Sequence, residues 1–256
     1  MVQPSILPER FHLTPQTLYK ITVSYFDIAC PRQLEKTGTA ICANYRAPNE
    51  PDGFSDLKLP MLGPLYDHGP WRAEIWPDYL APIARAAGDS AEAVLANFGM
   101  IPKAHQPPGK RYMTINARSE TVGKKPAFRA AWRASQRCLI PAAWIYEPNW
   151  ETGKHVKYRI GLDGWQPFCA AGIWRAWKEA DGSETLAMAM LTVNADEHPV
   201  MSRMHKPGDE KRSVVILRSA GYDEWLHSTN ADAARVMLQI WPADEMVSEP
   251  YRHREA

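Results

Sequence analysis

The high contents of tryptophan and proline constrain the fold of this chain most strongly, since its 256 residues include 10 Trp and 22 Pro. Tryptophan at this density favours a tightly packed, β-rich core, or aromatic surfaces that stack on something flat. From 44 to 77, prolines and glycines recur every few residues, which predicts irregular chain with short strands. With 45% hydrophobic and 23% charged residues, the remaining composition is that of an ordinary globular protein. A disordered tail protein, a coiled coil and a fibrous repeat are therefore excluded.

The charges are almost balanced, with 30 Lys and Arg against 29 Asp and Glu. No global field draws the chain to nucleic acid, so any such binding must use a local patch. No apolar run approaches the roughly 20 residues of a transmembrane helix, and the start lacks the pattern of a signal peptide. The four cysteines form no C-x-x-C pair, which predicts free thiols in a cytoplasmic protein. We expect no metal and no other cofactor, because the histidines lack ligand spacing with cysteines or acids.

Residue patterns predict an α+β fold. Strands are expected at 156–162, 168–177, 186–193 and 213–217, with Asp181-Gly182 as a hairpin turn. Helices are expected at 90–98 with Ser90 as the cap, and at 126–137, 222–227 and 230–240 with Asn230 as the cap. Because the strands mostly meet as hairpins, the sheet should be mainly antiparallel.

The first 41 residues differ from the rest of the chain. They contain none of the 10 Trp and show neither a helical nor a strand period. We interpret residues 1–41 as an extension outside the fold, and residues 42–256 as a single domain.

Two segments in the first half of the chain contain candidate site residues. The first is Cys42, although most such cysteines are small buried thiols. The second is 114–121, which places Asn116, Arg118 and Glu120 at alternate positions. In an extended segment these three side chains face the same side. The alternative for this segment is a solvated edge strand.

Two further segments supply groups that can move protons. An apolar strand expected over 137–147 ends in Glu147, between aromatic side chains that would desolvate it and raise its pKa. The alternative is an ordinary glutamate at a strand end. His198 and His205 lie between a strand and the next apolar run, where a histidine can shuttle protons, although surface histidines are commoner. None of these four signals is specific by itself.

In their order along the chain, however, the segments resemble the SOS response-associated peptidase (SRAP) family, whose members shield abasic sites in single-stranded DNA. The resemblance covers about residues 41–226. It rests on four blocks: 98–102 (Phe-Gly-Met-Ile-Pro, where the family has Trp first), 116–121 (Asn-Ala-Arg-Ser-Glu-Thr), 137–142 (Arg-Cys-Leu-Ile-Pro-Ala) with Tyr146-Glu147, and 171–174 (Ala-Gly-Ile-Trp). The family implies a barrel-like, mainly antiparallel core with flanking helices. It also implies a cytoplasmic monomer that associates with the nucleoid when it acts.

The resemblance assigns the family's catalytic residues to Cys42, Asn116, Glu147 and His205, with His198 as the second choice for the histidine. The chain departs from the family pattern after His205, where a charged stretch, 206–212, replaces Arg-Met-Pro. It also has Ala43-Asn44 for the usual Gly-Arg, and Pro148 for the Trp after Tyr-Glu.

The implied chemistry is covalent capture of an abasic sugar. An N-terminal cysteine offers an amine that attacks the aldehyde and a thiol that closes a thiazolidine ring. Glu147 would be the acid/base, His205 the proton shuttle, and Asn116 would hold Cys42 and the sugar. The expected DNA contacts are phosphates at Arg118 and Arg46, and base stacking on Phe98, Tyr45 or a nearby Trp.

In the printed chain the amine of Cys42 is part of a peptide bond. We therefore expect residues 1–41 to be either a mis-assigned start or a segment removed before activity. Two other functions stay open. One is a cysteine peptidase with Cys42 as nucleophile and His205 as base, whose substrate is the Ile41–Cys42 bond. The other is a non-catalytic module that binds single-stranded DNA.

Overall fold

The computed structural model describes residues 44–48, 56–59, 65 and 71–252, and most of its regular structure is β-sheet. The proposed extension, 1–41, lies outside the described residues, so the domain boundary stays a prediction. No helix in the described ranges is long and apolar enough to cross a membrane.

The first sheet has five strands, all antiparallel to their neighbours. They are β1 Asn44–Arg46, β2 Glu74–Ile75, β7 Trp144–Asn149, β8 Val156–Leu162 and β13 Met246–Pro250. Their order is β13-β8-β7-β1-β2, so the short β1 lies directly beside β7.

The second sheet closes on itself. Its strands are β3 Leu80–Ala87, β4 Ser90–Phe98, β5 Asn116–Arg118, β6 Arg137–Ala142, β9 Phe168–Lys178, β10 Glu184–Asn194, β11 Arg212–Val214 and β12 Ile216–Leu217. The order β10-β4-β3-β6-β9 returns to β10, because β9 and β10 also pair with each other. Most pairs are antiparallel, but β10 runs parallel to β4 and β5. The predicted α+β class with a mainly antiparallel, barrel-like core is confirmed.

Short helices flank the strands. They are α1 Arg129–Arg133, α2 Tyr222–His227 and α3 Ala231–Val236. Trp225 of α2 is fully buried and donates its indole N–H to the Cys138 carbonyl at 2.9 Å, which attaches the helix to β6. The Asn230 side chain accepts from the backbone N–H groups of Asp232 and Ala233, as its predicted role of N-cap requires.

One glycine in the barrel is required by close packing. A Cβ at Gly172 of β9 would lie 2.5 Å from Cδ1 of Ile140 and 2.8 Å from Sγ of Cys138. These distances are shorter than van der Waals contact, so the approach of β6 to β9 needs a residue without a side chain.

The predicted strands at 156–162, 168–177 and 186–193 and the helix at 222–227 are confirmed. The helix predicted at 90–98 is wrong, because this segment is β4 and pairs with β3 along its length. The turn at Gly88, with a φ of +62°, makes this hairpin possible and supports strand rather than helix. Ser90 therefore caps no helix.

Three other predicted boundaries need correction. The helix at 126–137 is limited to Arg129–Arg133, and the one at 230–240 to Ala231–Val236. The strand predicted over 137–147 is two strands in different sheets, separated at Ala143. The run at 213–217 also divides, since β11 pairs with β10 whereas β12 pairs with β9.

Candidate active site

Glu147 and His205 meet inside the protein. Glu147 lies on β7, and the chain at 204–205 runs beside this strand, through a bridge between Asn149 and Met204. The His205 N–H donates to the Pro148 carbonyl at 2.6 Å. These backbone contacts bring Nε2 of His205 to 3.6 Å from Oε2 of Glu147, with 1% and 0% of the two side chains exposed.

Burial sets the protonation of this pair. It lowers the pKa of His205 from its ordinary 6.5 to about 4, with a further lowering from the nearby Lys211. The imidazole is therefore neutral at pH 7. The 3.6 Å separation is somewhat longer than a hydrogen bond. A neutral imidazole beside a buried carboxyl is suited to acid/base chemistry.

The backbone of His205 is held in a conformation that side chains disfavour. Its φ is +62°, in the left-handed region, which costs roughly 1–2 kcal/mol for a residue other than glycine. The hydrogen bond to Pro148 and one from Lys211 Nζ to the His205 carbonyl, at 3.2 Å, hold it there. Strain maintained by such contacts is common at functional sites.

His198, the second choice, has a structural role. Its Nε2 donates to the Trp241 carbonyl at 2.9 Å, and its Nδ1 accepts from the Met201 N–H at 3.1 Å. Both ring nitrogens of this buried side chain are thus engaged by backbone. The histidine that the structure places beside Glu147 is His205.

Asn116 and Arg118 belong to β5, which runs parallel to β10. Along 116–120 the even-numbered residues are half-buried or exposed, while Ala117 and Ser119 are buried. The predicted alternation is therefore present, with Glu120 just beyond the end of β5.

A network of ion pairs surrounds Arg118. Its guanidinium lies 2.7 Å from Glu210, whose other oxygen lies 2.9 Å from Arg212. Arg212 is 1% exposed and donates from two nitrogens to Glu120, each at 2.9 Å. Burial alone would raise the pKa of Glu120, but the hydrogen bond from Arg212 lowers it below its ordinary value. The sequence analysis did not identify Glu210 and Arg212. The only feature of the sequence that pointed to them was the departure from the family pattern at 206–212.

The stacking role expected of Phe98 and Tyr45 needs correction. Both side chains are 0% exposed, and their rings pack edge to face with centroids 5.2 Å apart. They are core residues and present no face to a base. Tyr112, four residues before Asn116, is 43% exposed and was not singled out from the sequence.

Arg46 lies on the opposite face of the first sheet from Glu147. It pairs in register with Trp144, and its guanidinium lies 5.5 Å from the centre of the Trp144 ring. Since side chains alternate along a strand, Trp144 and Glu147 point to different faces of β7. The expected phosphate contact of Arg46 therefore does not belong to the same face as the carboxyl–imidazole pair.

Cys42 lies outside the described residues, and β1 begins two positions after it, at Asn44. Asn44 pairs with Tyr146, which is adjacent to Glu147 on β7. Of the other cysteines, Cys138 and Cys169 are buried free thiols, and burial raises the pKa of each. Neither is a candidate nucleophile, because the reactive form is the thiolate. Within the described ranges, no three His, Cys, Asp or Glu side chains are grouped so that they could hold a metal ion.

Comparison with solved structures shows which class of fold this is. A crystal structure of a protein from Bordetella bronchiseptica superposes with a TM-score of 0.68 and 33% identity, over 82% of this chain and all of that chain. One of a protein from Bacteroides thetaiotaomicron gives a TM-score of 0.66 at 19% identity, over 83% of this chain and 93% of that one. At this identity the second match shows the fold alone.

The family follows from the sequence match. The model of the SOS response associated peptidase (SRAP) family matches residues 64–254. The chain therefore belongs to the SRAP family.

Two relatives have names that describe an activity. Abasic site processing protein YoqW of Bacillus subtilis is 32% identical over 152 residues, which are 58% of this chain and 64% of that protein. Abasic site processing protein HMCES of Gallus gallus is 24% identical over 186 residues, which are 63% of this chain and 54% of that protein. The chain spans less than two thirds of the length of either relative.

Proposed function

We propose that the chain is an abasic-site processing protein that binds single-stranded DNA and links covalently to the lesion through Cys42. The observation that carries the proposal is the buried pair formed by Glu147, on the strand beside β1, and His205. Membership in the SRAP family and the names of its relatives agree with it.

The position of β1 supports the choice of Cys42 as the nucleophile. Two residues of extended chain span at most about 7 Å, so the backbone of Cys42 can lie no further than this from Asn44. Asn44 is paired with the neighbour of Glu147. This short reach along the chain supports Cys42, rather than a buried cysteine such as Cys138, as the residue that reacts near the strand of Glu147.

The reaction joins one aldehyde and one aminothiol and releases one water. The neutral amine of Cys42 attacks C1′ of the open-chain sugar, and Glu147, in its protonated form, donates to the leaving hydroxyl as the imine forms. The thiol then adds to the imine carbon, its proton passes to the nitrogen, and a five-membered thiazolidine results. Because both nucleophiles belong to one residue, the second step is intramolecular and fast.

His205 acts on the proton of Glu147 in this scheme. Its neutral imidazole can accept the carboxyl proton or return one, at the 3.6 Å separation of the two side chains. Asn116 orients the sugar and Cys42. Arg118, half exposed, receives a phosphate of the strand. Tyr112 replaces Phe98 and Tyr45 as the stacking candidate because its ring is exposed.

This chemistry requires a free amine on Cys42, and hence a chain from which residues 1–41 are absent. A denaturing gel with single-stranded oligonucleotides tests the requirement, with and without one abasic site. A chain that begins at Cys42 should give a shifted band with the lesion only, and the full chain should give none.

The Cys42→Ser variant is the matched control, because serine keeps the amine and loses the sulfur. It should form an adduct only when borohydride is present to reduce the imine. A stable adduct with this variant in the absence of reductant would falsify the role of the thiol.

Peptidase activity is a second candidate, favoured by the buried imidazole and carboxyl, by the pairing of β1, which begins shortly after the Ile41–Cys42 bond, with the strand of Glu147, and by the family's name. Hydrolysis of this bond would itself release the amine of Cys42. Intact-mass measurements over time test it. The full chain should lose residues 1–41 while Glu147→Gln stays whole, and equal persistence of both chains rules out self-cleavage.

A further inference from the structure

The segment that departs from the family pattern after His205, 206–212, contains an anion bound between two arginines. The carboxylate of Glu210 has one oxygen 2.7 Å from Arg118 and the other 2.9 Å from Arg212. We refer to residues 205–212 as the connecting loop, because it begins at His205, beside β7, and ends at Arg212, in β11. One end is thus at the carboxyl–imidazole pair and the other at the arginines.

The two arginines differ in what they can offer a ligand. Arg212 is buried, and its two terminal nitrogens are held by Glu120 and by the Thr192 carbonyl at 2.7 Å. The side chain of Arg118 is 50% exposed, and Glu210 is its only ion-pair partner within the described residues. An oxyanion that lies between them therefore meets a buried guanidinium on one side and a half-exposed one on the other.

A carboxylate and a phosphate present similar charged oxygens to a guanidinium. We infer that Glu210 occupies the position of a backbone phosphate of single-stranded DNA, and that the strand displaces it from Arg118 when it binds. The inference rests on the proposed binding of single-stranded DNA and identifies a group of this chain that competes with it.

Displacement of Glu210 leaves the connecting loop in place, because other contacts hold the loop. The Lys211 N–H donates to Asp196 at 2.7 Å, and the Lys211 carbonyl accepts from Ala195 at 2.8 Å. Lys211 Nζ donates to the carbonyls of His205 and Lys206. None of these hydrogen bonds involves the side chain of Glu210, so this side chain can rotate away without unfolding the loop.

The exchange offsets part of what the phosphate contact gains. The ion pair of Glu210 with Arg118 is partly exposed, and water screens it, so the strand can replace it. The affinity that a DNA strand gains from Arg118 is therefore lower than it would be if Glu210 were absent. The competition acts on phosphates and should not depend on base sequence or on the lesion.

Fluorescence anisotropy of the full chain with an undamaged, labelled oligothymidine tests the inference, and no covalent step is needed. Glu210→Gln should bind about two- to fivefold more tightly at low salt, because it removes the carboxylate that competes for Arg118 while Arg212 keeps its partner Glu120. In the Arg118→Gln background the same change should give no gain. Glu245→Gln is the matched control, because Glu245 pairs with Arg218 at 2.6 Å and is also partly exposed.

Three results would overturn the inference. These are unchanged or weaker binding by Glu210→Gln, an equal gain from Glu245→Gln, and a gain that persists without Arg118. If the natural chain binds the oligonucleotide and any of these is found, the inference fails and the proposed function stands. If no form of the chain binds, the inference and the proposed DNA binding fail together.

Discussion

At each end of the connecting loop a carboxylate lies beside a basic side chain. One of these two pairs is buried and the other is partly exposed. At one end Glu147 and His205 have side chains 0% and 1% exposed, whereas at the other Glu210 and Arg118 are 35% and 50% exposed. The buried base is a histidine, which can lose its charge, and the exposed base is an arginine, which cannot.

The difference shows how burial selects chemistry. Charge is costly in a dry interior, and burial holds the His205 imidazole neutral at pH 7. Ion pairs at the surface are screened by water, so they contribute little to stability while their charges can still attract phosphates. We therefore assign the buried end to bond-making and the exposed end to affinity.

Glu147→Gln should have the largest effect. Loss of a general acid/base slows the step it serves by about 10²- to 10⁴-fold, while non-covalent affinity for the same oligonucleotide should stay within a few-fold. Single-turnover adduct formation at saturating abasic DNA measures the rate. Equal rates for the variant and the natural chain would remove Glu147 from the mechanism.

The buried end should also make stability depend on pH. The pKa of His205 is about 4 in the folded protein and near 6.5 when unfolded, so the unfolded chain takes up a proton that the folded chain does not. Stability should therefore fall as pH decreases from about 6.5 to about 4, by up to about 3 kcal/mol. Urea unfolding at pH 7 and pH 4.5 measures the loss.

His205→Asn is the control for this slope, because asparagine tolerates the left-handed backbone. The variant should lose less stability on acidification than the natural chain. An identical loss in both would show that other groups cause the dependence.

Substitution of His205 should affect mainly the reaction rate, and substitution of His198 mainly the stability of the fold. His205→Asn should slow adduct formation about 10- to 100-fold, with its fold retained. His198→Ala removes hydrogen bonds to backbone groups and should destabilise the fold by about 1–3 kcal/mol, with little change in rate below its melting temperature. The opposite pattern would make His198 the site histidine.

At the exposed end, Arg118→Gln should have the smallest effect. Affinity for single-stranded DNA should fall about three- to tenfold for all sequences, and the salt dependence should decrease by about one counterion. The rate at saturating DNA should not change. A lower rate at saturation would place Arg118 in the chemical step.

The sequence predicted those parts of the fold that local patterns control. The Asp181-Gly182 turn identified the hairpin of β9 and β10, and Asn230 identified the start of α3. It failed at β4, where apolar residues at helical spacing are overruled by pairing with β3 and β10. The sequence pattern also predicted β6 and β7 as one strand, because nothing around Ala143 indicates a change of sheet.

For the candidate site, the sequence identified individual residues but not the contacts between them. Cys42, Asn116 and Glu147 came from family motifs, and so did the preference for His205 over His198. The contact of His205 with Glu147 depends on the bridge between Asn149 and Met204, which no local pattern indicates. The pairing of Arg118 with Glu210 likewise joins residues 92 positions apart only through the fold.

Intact-mass spectrometry of the protein with an abasic oligonucleotide, in the absence of reductant, tests the central claim most directly. A chain whose first residue is Cys42 should give a species with the summed mass of protein and DNA less one water. A chain that retains residues 1–41 should give none. The account is contradicted if the Cys42 chain forms no such species, or if the longer chain forms it equally well.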